Sequence, residues 1–245
     1  MDFQEKYLKY KNKYLIFKNT IQFGGANNVA NKYIIGIAGA SGCGKSFLAE
    51  DNLQQLFLKN GIPTTVISCD NYYKSYIVDG KPSIAAADFN WDTPDVIDLD
   101  LFSSHLDDFK KNVSINIPKY NFVSNQREGV SQTIDSSKFQ ILIVEGLYVL
   151  YRPDVRAKFD LKIFTESDPE ICLARRISRD IETRGKKPSD TQAVLSNYEK
   201  FIRPSYQMYI EPTKRNADII VNSDINYSTT KTLDIIIKYV LSEIK

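Results

Sequence analysis

The sequence predicts an α/β fold: a mostly parallel sheet with helices on both faces. Three observations carry that prediction. Short, continuously apolar, β-rich runs alternate with stretches of helical spacing, the pattern of repeated βα units. The strand runs lack polar alternation, as expected of strands covered on both faces. One of them leads directly into GIAGASGCGKSF at 36–47, a glycine-rich strand-to-helix turn of the type that cradles phosphate.

Taken in order, YIIGIA at 33–38 is the first strand. Helical spacing follows over 45–60, with Phe47, Leu48, Leu53, Leu56 and Phe57 as the apolar positions, and it stops at Gly61 and Pro63. TTVISC at 64–69 is a second strand. Residues 98–111 read as a helix with Leu99, Phe102, Leu106 and Phe109 on one face, which leaves His105 on the polar side and at the surface. VSINIPKY and VSQTI are two short strands flanking a polar loop, and QILIVEG at 140–146 is the strongest buried strand. DLKIFT, a helix from Pro169, ADIIVN and the terminal helix TLDIIIKYVLSEIK complete the series. Ser167-Asp168-Pro169 is a helix start, a capping side chain followed by proline where no N–H is missed.

The chain has 245 residues, 42% apolar and 25% charged, with a net charge of +2. That composition suits one large domain at 32–245 behind an N-terminal extension and linker at 1–31. It offers no strong field toward nucleic acid or anionic lipid. Three cysteines at unrelated spacings make neither a disulfide framework nor a zinc pattern, which fits a reducing, cytoplasmic setting. No apolar run approaches the roughly 18 residues needed to cross a bilayer. The first residues alternate lysine and tyrosine with Leu8, Leu15, Ile16 and Phe17. They read as an amphipathic helix and linker rather than a signal peptide or presequence.

Gly39, Ala40, Ser41, Gly42, Cys43, Gly44, Lys45 and Ser46 fit G-x-x-x-x-G-K-[ST] between a strand and a helix, which makes the sheet that of a P-loop NTPase. Backbone N–H groups surround the phosphates, Lys45 reaches the β and γ oxygens, and the Ser46 hydroxyl ligates Mg²⁺. Two acids close strands beside the loop. Glu145 ends ILIV and is placed to hold Mg²⁺ directly or through water. Asp70 ends TTVISC and is placed to take a proton from an attacking hydroxyl. Each alone could be the polar stop after a strand; the phosphate loop favours the chemical reading.

RRISRDIETRGKK at 175–187 sets Arg175, Arg176 and Arg179 on a helix, with Arg184, Lys186 and Lys187 continuing beyond it. A charge run can be a solvated face. Here it also suits an arginine-rich lid that neutralises charge on a transferred phosphoryl group and excludes water. The guanine-reading N-K-x-D of a GTPase and a transporter ATPase signature are not where they should stand. Aromatic residues in Asp70-Asn71-Tyr72-Tyr73-Lys74, Phe89-Asn90-Trp91-Asp92 and Pro118-Lys119-Tyr120-Asn121-Phe122 describe a pocket for a nucleoside, with a carboxylate for a vicinal diol. Cys43 lies inside the phosphate loop and Cys69 precedes Asp70. Both are expected to be packing residues near the site, and alkylation of Cys43 is expected to block ATP binding.

From about Ile34 to near the C-terminus the chain resembles the uridine kinase (uridine–cytidine kinase) family. The segments that carry the resemblance are GIAGASGCGKS, ISCDNYYK, FNWDTPD, PKYNFVSNQR, ILIVEGLYVL, DPEICLARRISRDIETRG and FIRPSYQMYIEPTKRNADIIV. It implies a β-hairpin element that binds the nucleoside. It implies ATP or GTP as donor with Mg²⁺ at Ser46 and Glu145, Asp70 as base toward the ribose 5′-hydroxyl, and Asp92 on the ribose hydroxyls with Arg176 assisting. Tyr73, Trp91, Tyr120 and Phe122 would line the nucleoside pocket, and Arg179 and Arg184 would act on the phosphates. A homotetramer and feedback inhibition by pyrimidine triphosphates are also implied. Four features depart from the family pattern. Trp91 replaces a phenylalanine, Asn125 a histidine and Asn197 a glutamine, the last two at the base-reading edge, and KKPSDT lengthens the lid. A kinase for another nucleoside or a phosphosugar, and a non-catalytic nucleotide-binding module, remain open on the residues alone.

Overall fold

Five of the apolar runs become one parallel sheet. In a computed structural model that describes residues 31–78, 81–82, 89–183, 187–224 and 230–244, the chain runs β1 (Tyr33–Gly39), then α1 (Phe47–Gln54 in wide π-type turns, continued by Gln55–Lys59), then β2 (Thr64–Ser68). A two-residue pair β3 (Ile77–Val78) and β4 (Lys81–Pro82) precedes α2 (Leu99–Lys110). Next come β5 (Ile115–Asn121), β6 (Gln126–Ile134), β7 (Ile141–Glu145), the short α3 (Pro153–Arg156) and β8 (Leu161–Glu166). The chain closes with α4 (Pro169–Thr183), α5 (Thr191–Asn197 continued through Tyr206–Ile210), β9 (Ile219–Asn222) and α6 (Thr230–Glu243). The extension as far as residue 30, and Arg184 of the lid, lie outside the described residues.

The sheet order is β2-β7-β1-β8-β9, every neighbour parallel. Period-two alternation divides its side chains between two cores. Ile34, Ala38, Leu142 and Val144 meet Phe102, Leu106 and Phe109 on one face. Ile35, Ile37, Ile141 and Ile143 meet Leu53, Phe57, Ile236 and Val240 on the other. Both faces being covered is why β1 and β7 are buried at every residue. Because all five strands run one way, their carboxyl ends open at a single edge, where ligands bind in such sheets.

Two local readings need correction. His105 is not at the surface: it is 8% exposed, because Tyr72 reaches under α2 and its hydroxyl meets His105 Nδ1 at 2.9 Å. Phe47 does not join the core with Leu48 and Leu53; it is 61% exposed in the first turn of α1. α5 runs through Pro204, normally a helix breaker, and the π-type turns Tyr198–Ile202 and Tyr206–Ile210 flank the proline. The two predicted strands around the polar loop form an antiparallel hairpin, β5–β6, with register shifts about Pro118. Its tip ends on Asn125 at φ 55, a left-handed conformation that asparagine tolerates better than most side chains.

Candidate active site

The phosphate loop leaves β1 at Gly39 and is held by its carbonyls, from outside by Ser223 and Arg175 and from within by Lys45. The Ser223 hydroxyl donates to the Cys43 carbonyl, Arg175 Nη1 donates to that of Gly42 at 3.5 Å, and Lys45 Nζ donates to that of Ala40 at 2.8 Å. Gly42 has φ +83, and a Cβ there would lie 2.2 Å from the Cys172 carbonyl oxygen, so α4 and the loop fit together only if this residue is glycine. Cys43 is fully buried, with its sulfur packed beneath Gly39. Burial pushes its thiol pKa up. An alkylating agent therefore meets a protonated, covered sulfur and reacts slowly there in the folded protein.

Strand register sets the two acids. Glu145 stands in line with Ile37 on β1 and Ser68 on β2, and Asp70 follows in the turn Cys69–Tyr72, its N–H donating to Ser68 Oγ at 3.3 Å. Glu145 is 6% exposed, and the Ser68 and Ser46 hydroxyls favour its charged form. Burial raises its pKa; the charge of Lys45 opposes that, while the charge of Asp70 adds to it. A buried carboxylate between two hydroxyls, an ammonium and a second carboxylate is suited to a hard cation. Among the described residues no group of three or more acidic, cysteine or histidine side chains could hold a metal alone. One carboxylate and one hydroxyl, with water and phosphate completing the shell, is how Mg²⁺ is usually held.

α4 brings its arginines over the loop. Arg176 Nη1 donates to Ser41 Oγ at 2.9 Å, and Arg179 Nη2 reaches the same oxygen at 3.5 Å. Asp180, which the sequence reading passed over, anchors both: Arg179 Nη2 donates to it at 2.9 Å, and Arg176 Nε lies 3.5 Å from its other oxygen. Its signal was present, an acid four residues beyond Arg176 on a helix.

Opposite the loop lies a cluster of rings. Tyr73 meets Tyr120 at 5.2 Å between centroids, Phe122 at 5.8 Å and Trp91 at 6.4 Å, mostly edge to face. Phe89, 4.7 Å from both Trp91 and Tyr76, extends it. Asp92 is buried beside Trp91, its N–H held by Asn90 Oδ1 at 2.9 Å. Burial pushes the Tyr120 hydroxyl to a pKa of about 12, and that hydroxyl has no hydrogen-bond partner among the described residues. Left so, it costs about 1–3 kcal/mol.

One cleft of about 770 Å³ joins these parts. It is lined by Ser41, Gly42, Gly44, Lys45 and Ser46 from the loop, by Asp70 and Glu145, and by Arg176 and Arg179 from the lid. Tyr73, Phe89, Trp91, Asp92, Tyr120, Phe122, Asn125, Arg175 and Asn197 line the rest, together with Phe47, which its spacing had assigned to the core. Gly39, Ala40 and Cys43 are not among its lining residues.

Residues 34–230 match the Phosphoribulokinase / Uridine kinase family. The chain belongs to that family. It is 34% identical over 214 residues to a uridine kinase of Saccharomyces cerevisiae, matching 87% of this chain but 41% of that protein. It is 30% identical over 212 residues to uridine-cytidine kinase B of Dictyostelium discoideum, 86% of this chain and 82% of that one. A uridine kinase of Deinococcus deserti is 32% identical over 77% of this chain and 86% of its own length. The chain thus spans less than half of the yeast protein and most of the other two. The fold is shared more widely. Phosphoribulokinase from Rhodobacter spheroides superposes with a TM-score of 0.56 at 18% identity, covering 78% of this chain and 70% of its own. A D-glycerate 3-kinase from Cryptococcus neoformans gives 0.53 at 13%, covering 87% and 94%. Proteins that share this fold thus carry names that point to different acceptors, so the acceptor has to be argued from side chains.

Proposed function

We propose that this chain transfers the γ-phosphoryl group of ATP to the 5′-hydroxyl of a pyrimidine ribonucleoside, uridine or cytidine, giving the nucleoside monophosphate of pyrimidine salvage. The observation that carries the reading is the single cleft that Asp70 lines together with the phosphate loop and the ring cluster of Tyr73, Trp91 and Tyr120. The relatives named uridine kinase and uridine-cytidine kinase support it.

In this reading the loop N–H groups and Lys45 hold the β- and γ-phosphates. Arg176, Arg179 and Arg184 close over the charge that spreads across the transferred group. Asp92 accepts hydrogen bonds from the ribose diol with Arg176 assisting, and the rings, Asn125 and Asn197 hold the base. The 5′-oxygen bonds to the γ-phosphorus as the bond from that phosphorus to the β,γ-bridging oxygen breaks; its proton passes to the Asp70 carboxylate, and ADP leaves. Ser46 and Glu145 would hold Mg²⁺, which when bound neutralises the phosphate oxygens. The reading includes GTP as a second donor, a cytoplasmic setting and self-assembly, with no nucleic acid or membrane partner. No helix among the described residues is long and apolar enough to cross a membrane.

ADP release with Mg²⁺-ATP against uridine, cytidine, the purine ribonucleosides, deoxynucleosides and an acceptor-free blank tests it. Turnover with uridine or cytidine well above the blank is the expected result. Turnover confined to another nucleoside would move the specificity to Asn125 and Asn197. ATP binding without acceptor-dependent turnover would replace the kinase with a nucleotide-binding module.

A further inference from the structure

The acceptor half of the cleft is assembled from three separate segments, and one side chain outside the cleft touches all three. Arg127 is the second residue of β6, opposite Tyr120 in the hairpin register. Its guanidinium donates from Nη2 to the Tyr72 carbonyl at 3.0 Å, from Nε to the Tyr73 carbonyl at 3.3 Å and from Nη1 to Asp98 Oδ2 at 3.2 Å. Its own N–H donates to Ser75 Oγ at 2.9 Å. Asp98 is the N-cap of α2, its other oxygen accepting from the Leu101 N–H at 3.1 Å, and its own N–H also donates to the Tyr72 carbonyl, at 2.8 Å. Neighbouring links run the same way: Gln126 Nε2 donates to the Tyr76 carbonyl, and the Tyr76 N–H to that of Asn125.

The three segments each carry part of the proposed acceptor site. The turn after β2 holds Asp70 and Tyr73, the stretch before α2 follows Trp91 and Asp92, and the hairpin holds Tyr120, Phe122 and Asn125. Packing of rings alone leaves these pieces free to slide, since edge-to-face contacts tolerate a range of distances. A planar fork with fixed donor directions does not. We propose that Arg127 is the positioning residue that locks the hydroxyl-activating turn, the Trp91 segment and the nucleoside hairpin into one geometry. It touches neither substrate; it sets where Asp70 stands relative to the rings. The proposal rests on the reading of this cleft as a nucleoside kinase site, and its test separates the two.

Lysine keeps the charge at 127 but presents a point ammonium that cannot meet two carbonyls and a carboxylate in the fork geometry. Arg127→Lys is therefore expected to fold, to keep the KM for ATP within about twofold, and to lower kcat/KM for the nucleoside by about 10²-fold, the scale of an ångström misplacement. Added guanidinium at millimolar concentration should partly restore Arg127→Ala. Trp91, the only tryptophan, supplies a readout independent of turnover: its acrylamide quenching in the ligand-free protein should increase in both variants. Should the wild-type protein show no acceptor-dependent ADP release, the kinase reading fails and the Trp91 measurement still judges the lock. Unchanged Trp91 quenching in Arg127→Lys overturns the proposal. So does a fall in both substrates' kcat/KM in proportion to lost melting temperature, which would make Arg127 a general support.

Discussion

The two halves of the cleft are built by different means. The phosphate half is a single contiguous loop whose shape is fixed by backbone: glycine dihedrals, carbonyls pinned from outside, and the end of a central strand. The acceptor half has no contiguous motif. It is three segments brought together by rings and by the hydrogen bonds of Arg127. Backbone-determined geometry is intolerant of a single added carbon but indifferent to what faces it. Side-chain geometry is adjustable, so the acceptor half can change while the phosphate frame stays as it is.

Asp70 stands where the halves meet, so its removal should have the largest effect. Asp70→Asn keeps the turn and its size but cannot take the proton. Turnover should fall by about 10²–10⁴-fold, with ATP and nucleoside both still bound by equilibrium titration. Near-wild-type turnover would remove Asp70 as the base; loss of binding would show that it holds the pocket together instead.

Two glycines of like backbone conformation then compare the halves directly. Gly42 has φ +83 and a carbonyl 2.2 Å from where a Cβ would stand, whereas Gly129, on β6, has φ +76 and nothing within 4 Å. Gly129→Ala should cost only the left-handed conformation, about 1 kcal/mol, with both KM values unchanged. Gly42→Ala adds a clash with α4 to strain of about 1–3 kcal/mol and should raise the KM for ATP at least tenfold while sparing nucleoside binding to Trp91. Equal effects at both positions would erase the distinction between a backbone-built and a side-chain-built half.

The same difference explains what could be read from sequence. The loop, Asp70 and Glu145 were legible because each is local: a motif, or an acid at the end of a buried run such as ILIV. The strands were legible because burial on both faces removes their polar positions. Arg127 was not, since its partners Tyr72, Tyr73 and Asp98 are 29 or more positions away. His105 was misplaced because helical periodicity records apolar side chains and carries no trace of a tyrosine hydroxyl arriving from another segment. Phe47 was misassigned for the complementary reason: its spacing fits the core face, but the first turn of α1 borders the cleft. The extent of α5 through Pro204 was not legible, because π-type turns in a helix have no simple sequence signature.

Trp91 sharpens the acceptor side. If it is a face against which a base stacks, Trp91→Ala should raise the nucleoside KM about tenfold, in line with roughly 1–3 kcal/mol per stacked base. Trp91→Phe should recover most of that loss, and ATP binding should not move in either. A rise in the ATP KM of the same size would place the ring between the halves rather than on one.

The smallest effect concerns the support behind the acceptor half. Burial lowers the pKa of His105 below the 6.5 of a free histidine; Asp108 and Asp98 oppose that shift and Arg127 adds to it. The unfolded chain therefore takes up this proton first. Stability from the neutral, Tyr72-bonded ring is full above pH 7 and is lost as pH falls through 6.5 toward the folded pKa, at no more than about 1.4 kcal/mol per pH unit. Chemical denaturation at pH 7.5 and 5.5 should show a loss in the wild type that His105→Gln lacks, and as the chain's only histidine it has no other imidazole to confuse the comparison. Tyr72 supplies both the hydroxyl that meets this ring and a carbonyl held by Arg127. The lost stability should therefore appear also as a rise in nucleoside KM at pH 5.5, with the KM for ATP level across the same range. Parallel rises in both would mean that acid loosens the whole sheet edge, and that the two halves are less independent than their construction implies.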